Sequence, residues 1–81
     1  MPRYFLNQVH KGDYISDVEG ADFTDLDDVR NEAVLAAREI MADRLIRGEE
    51  VNHSKFEVLS ETGTVVLTLP FSEALPKDEA Q

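Results

Sequence analysis

Cysteine and tryptophan are absent from this chain, glycine occurs 4 times and proline 3 times, and only 8 Lys and Arg residues stand against 17 Asp and Glu. Without cysteine there is no disulfide framework, no thiolate metal site and no cysteine nucleophile, so the fold rests on packing alone. The net charge of −9 repels phosphate backbones, because nucleic-acid affinity comes largely from basic residues displacing counterions. Direct DNA or RNA binding is therefore not expected. No apolar run approaches the 18 or more residues of a membrane span, and the first eight residues are too short an apolar stretch for a signal peptide. The expected setting is the cytoplasm, with no membrane partner.

What is present suits one small domain. A chain of 81 residues supports a single core and buries only about 60% of the surface its unfolded form exposes, so a partner subunit would add stability. Its 42% hydrophobic and 31% charged residues are ordinary for a globular protein.

The pattern predicts an α+β, two-layer ββαββ fold: a four-stranded antiparallel sheet with one long helix packed on one face. Residues 3–10 and 13–19 read as a first hairpin around the turn Lys11-Gly12-Asp13. Tyr4 and Leu6 alternate on one face, but Val9 falls out of phase, which favours a β-bulge at Asn7 or Gln8. In the alternative, Phe5, Asn7 and Val9 face inward and Asn7 requires a hydrogen-bond partner.

Thr24 or Asp25 serves as the N-cap of a helix starting near Leu26. Asp27 and Asp28 in its first turn and Arg44 and Arg47 in its last complement the macrodipole before Gly48 ends it. Leu26, Val29, Ala33, Val34, Ala36, Ala37, Ile40 and Met41 form the core face at 100° per residue.

Residues 55–59 and 64–71 make a second hairpin around Ser60-Glu61-Thr62-Gly63. Val65, Leu67, Leu69 and Phe71 are set toward the helix together with Phe56 and Val58. The domain is expected to end near residue 73, with residues 74–81 a frayed tail. A strand order of 2-1-3-4 would keep all four strands antiparallel across one helical crossover.

Chemical signals are sparse. Seven carboxylates, Asp13, Asp17, Glu19, Asp22, Asp25, Asp27 and Asp28, form an acidic rim suited first to solubility and second to a basic protein partner. Their spacing does not fit a calcium loop, since placing its glycine at Gly20 puts Ile15 first and Leu26 last. His10 and His53 lack companions at metal-ligand spacing and are each expected as an exposed loop or strand-end residue. Ser16, Ser54, Ser60 and Ser72 lie in no nucleophile motif, so no catalysis, cofactor or metal is expected.

A narrower apolar stripe, Leu35, Ala42 and Ile46, lies opposite the core face at the spacing a self-association seam needs. A helix of about 22 residues spans about 33 Å and overhangs strands of about 25 Å, so Leu45 and Ile46 need cover from the 49–54 connection, from diagonal crossing or from another chain.

Pro2-Arg3-Tyr4-Phe5, Glu19-Gly20 before Asp25-Leu26, Ala37-Arg38-Glu39, Phe56-Glu57-Val58 and Leu67-Thr68-Leu69-Pro70-Phe71 together resemble a family of small bacterial proteins carrying a domain of unknown function, frequent in alphaproteobacteria. The resemblance spans roughly residues 2–73 and implies no activity. Relative to that pattern, Asn7-Gln8 holds one extra residue and Leu35 is apolar where polar residues are usual. Residues 3–45 are also similar, more weakly, to the HicB-type antitoxin fold, which implies neutralisation of a small basic RNase toxin. The combined expectation is a non-catalytic accessory domain working through protein contacts, as a homodimer or as an acidic binder of a basic protein.

Overall fold

A computed structural model describes residues 2–51 and 53–76. The elements are β1 (Arg3–His10), β2 (Asp13–Ile15), β3 (Ala21–Asp22), α1 (Leu26–Ile46), β4 (Ser54–Leu59), β5 (Val65–Pro70) and a 3-10 turn, η1 (Phe71–Ala74). The sheet runs β2-β1-β4-β5, all antiparallel, with β3 also on β1. This is the small α+β fold of ββαββ order that the sequence predicts, and leaving out the short β3 its strand order is 2-1-3-4, the arrangement that keeps all four strands antiparallel.

The first hairpin departs from expectation. Where residues 13–19 were expected as one strand, β2 pairs with Gln8–His10 and β3 with Arg3 and Tyr4, two separate stretches of β1, with the chain looping out between them. Asp17 fills the gap. One of its carboxylate oxygens accepts from the Leu6 amide at 3.1 Å and the other from the Gly20 amide at 3.1 Å. A carboxylate thus takes the ladder position that the missing strand residue leaves, and the edge of β1 keeps its donors satisfied.

No bulge interrupts β1. Phe5 to His10 pair step by step with Leu59 to Ser54, so Leu6 and Gln8 share the helix-facing side with Val58 and Phe56. Phe5, Asn7 and Val9 point to the opposite face, which overturns both readings of the phase slip. Asn7 is buried there under the looped segment. Its amide donates to Tyr14 Oη at 2.6 Å and its carbonyl accepts from the Asp17 amide at 2.7 Å. The irregularity sits in β5 instead: Val58 pairs with Leu67 but Leu59 with Val65, leaving Val66 as the additional residue. Val65 is therefore turned off the helix face and is half exposed.

Asp25 is the N-cap, its Oδ1 accepting from the Asp28 amide at 3.0 Å. Arg47 closes the helix and Gly48, at φ 73°, turns the chain away. Ala33, Ala37 and Met41 are buried in one cluster with Phe56, Leu69, Phe71 and Ala74, with Leu6, Val34, Ala36 and Ile40 at the margin, and Val29 is fully buried as well. Small residues at 33 and 37 leave room for the Phe56 and Phe71 rings, which meet in a tilted contact with centroids 5.0 Å apart. Leu26, expected in this face, is the first residue of the helix and is 43% exposed.

Phe71 belongs to η1 and not to the last strand, since Pro70 ends the ladder. Ala74 is fully buried against α1, so the packed unit includes the first residue assigned to the tail. From Lys77 onward the expected tail lies outside the described residues.

Candidate functional site

Two clusters carry the candidate chemistry. The first is internal. Arg44, the last-turn cation that the sequence sets against the helix dipole, is buried as the last member of the helix's core stripe, following Met41 by three residues. Its Nη1 donates to Ser54 Oγ at 2.8 Å and its guanidinium carbon lies 5.7 Å from the Phe71 ring centroid. The same hydroxyl lies 2.5 Å from His10 Nδ1, so His10 is partly buried and not the exposed residue expected. Arg44 can only donate, so the Ser54 hydroxyl accepts from it while also bonding His10 Nδ1. A serine beside a histidine suggests a nucleophile, but Ser54 is buried and its oxygen is occupied by Arg44. The signal that could have found this cluster is the continuation of the core spacing from Ala37 and Met41 onto Arg44. His53 is exposed as expected, at φ 73° and 3.3 Å from Glu50.

The second cluster is the outer side of α1. Leu35 is 53% and Ile46 is 84% exposed, with Ala42 exposed between them, so the predicted stripe is a solvent-facing surface. Leu45, one residue round, is 70% exposed. Among the described residues, neither the connection after α1 nor the crossing of the helix covers Leu45 and Ile46 in this last turn. Beside the stripe opens a groove of about 300 Å³, lined by Met41, Ala42, Leu45, Val51, Leu75 and Pro76 with Arg38 at its margin. Arg38 is fixed by its Nε, which donates to the Ala74 carbonyl at 2.7 Å. Its position follows from helix geometry, three residues after Leu35 and four before Ala42.

The acidic rim divides. Asp17 is consumed by the β1 edge, Asp25 by the helix cap, and Asp22 lies 3.4 Å from Arg3. Asp13, Glu19, Asp27 and Asp28 keep exposed carboxylates. Among the described residues no group of three His, Cys, Asp or Glu side chains is placed to hold a metal ion, and no helix is long and apolar enough to cross a membrane.

A family model described as "Domain of unknown function (DUF6894)" matches residues 3–72, nearly the whole described fold. The chain belongs to this family. The match runs from the first residue of β1 into η1, so the DUF6894 unit includes the Arg44–Ser54–His10 cluster and the outer stripe of α1. No curated protein and no solved structure matches the chain.

Proposed function

We propose that this domain acts through protein contacts and without catalysis, and that the outer side of α1 meets a second copy of the chain. The carrying observation is the exposed row Leu35, Ala42, Leu45 and Ile46 on a helix held rigidly by its other face. Large apolar side chains exposed from the middle of a helix to its C-terminal end, beside a groove, are what a docking surface needs. Ala42 between the larger residues permits close helix approach. The buried, occupied state of the Ser54 hydroxyl supports the non-catalytic reading.

Light scattering coupled to size exclusion, over a concentration series at low and high salt, tests the assembly. A dimer at both salts, reduced to monomer by Leu35→Glu with Ile46→Glu, is the expected result. A wild-type monomer throughout, or an unchanged dimer in the double variant, removes this surface from the account.

A second reading rests on Asp13, Glu19, Asp27 and Asp28, whose carboxylates are exposed in a chain of net charge −9. They supply complementarity to a basic protein, as the similarity to HicB-type antitoxins implies, with fast association that weakens as salt rises. Capture of a basic partner that does not respond to salt counts against it.

A further inference from the structure

Five exposed cations of the described fold have carboxylate partners: Arg3 with Asp22, Lys11 with Glu50, Arg30 with Glu73, Arg47 with Asp43 and Glu49, and Lys55 with Glu57. Arg38 does not. Among the described residues no carboxylate lies within ion-pair distance of it, although the chain carries more than twice as many acids as bases. Its guanidinium is nonetheless tethered, because Nε donates to the Ala74 carbonyl, and among the described residues neither terminal nitrogen has a hydrogen-bond partner. Next to it lies the apolar groove of about 300 Å³ formed by Met41, Ala42, Leu45, Val51, Leu75 and Pro76.

From this juxtaposition we infer that the groove is a binding site for a small alkyl carboxylate, with the chain among the apolar side chains and the carboxylate on the Arg38 terminal nitrogens. An Arg that has given its Nε to a backbone carbonyl still presents two parallel N–H donors, which match the two oxygens of a carboxylate end-on. The volume lies at the lower end for small-molecule pockets, so the ligand is short, roughly eight carbons. Charge selects a monoanion over a phosphate ester, since a domain of net charge −9 repels a dianion more strongly. Each methylene buried raises affinity about fourfold, whereas the head group supplies selectivity. The site goes beyond the contact surface proposed above: it shares Ala42 and Leu45 with it but depends on Arg38, which that reading does not use.

The test titrates octanoate, octanol and octylammonium into the full-length chain, each below its aggregation threshold, while backbone amide shifts are followed by NMR. Octanoate is expected to produce saturable shifts at Arg38, Met41, Ala42, Leu45, Val51 and Leu75. Octanol should bind the same residues about tenfold more weakly and octylammonium should leave them unmoved. Arg38→Gln should lower octanoate affinity to that of octanol without changing octanol. A groove silent to octanoate, or one that responds alike to all three head groups, overturns the inference. The head-group series uses the unaltered chain, so it decides the matter even if the Arg38 variant folds poorly. Light scattering on the same samples separates this result from the dimer: a monomer that binds octanoate sinks only the self-association reading, and a dimer blind to octanoate sinks only this one.

Discussion

Arg44 Nη1 donates to Ser54 Oγ across 2.8 Å, tying the last turn of α1 to the first residue of β4. Because β4 pairs with β1 and His10 lies on the same hydroxyl, one buried guanidinium links three elements. Arg44→Ala removes the donor, the stacking on Phe71 and the volume together. It should cost about 2–4 kcal/mol, a large part of the stability of so small a domain. Arg44→Met keeps most of the volume and should cost about half as much. Urea unfolding of both variants checks the ratio; equal losses would mean that the polar link, and not packing, is what Arg44 supplies.

Asp17 holds the gap between β2 and β3. Asp17→Ala leaves the Leu6 and Gly20 amides without their acceptor and should destabilise by about 1–3 kcal/mol. Asp17→Asn retains one acceptor and should lose less. Hydrogen exchange offers a local readout, with faster exchange expected at Leu6 and Gly20 and little change in β4.

Gly20 is confined twice over. Its φ of 67° lies in the left-handed region, and an added Cβ would come within 2.8 Å of the Phe5 ring and of the Tyr4 carbonyl oxygen. Gly63, at φ 84°, has nothing within 4 Å of the same position. Gly63→Ala should therefore cost about 1 kcal/mol from backbone strain alone, and Gly20→Ala clearly more, since Tyr4 must also shift its backbone. Thermal or urea unfolding that ranks them equally would contradict the contact with Phe5 and Tyr4.

Leu35→Glu and Ile46→Glu alter solvent-facing positions, so each should change monomer stability by about 0.5 kcal/mol or less. The same substitutions made at Ala33 or Ala37, on the other side of the helix, should unfold the domain. Circular dichroism of the four variants distinguishes the faces independently of any assembly.

Much of this fold was legible because it follows from local rules. Helical periodicity located α1 between the cap at Asp25 and Gly48, and alternation with a glycine turn located β4 and β5. The outer stripe was legible for the same reason, since the core face of a helix defines its opposite face. The slip at Val9 was misread, because periodicity assumes that every apolar residue seeks the helix, whereas Val9 pairs on the other face of the sheet. Leu26 was misassigned because the angular position of a residue on a helix says nothing about its exposure at the helix end.

The sequence by itself determined the element order, the helix with its two faces, the second hairpin and the acidic balance, all of which depend on residues close together in the chain. Only the tertiary structure decided the fates of Arg44, Asp17 and Arg38. Each is a charged side chain whose meaning depends on a group 10 or more residues away: Ser54 for Arg44, Leu6 for Asp17 and Ala74 for Arg38. Charge and spacing cannot distinguish a cation that closes a core from one that waits at the edge of a groove. That distinction is set by which distant hydroxyl or carbonyl the fold brings within hydrogen-bonding distance.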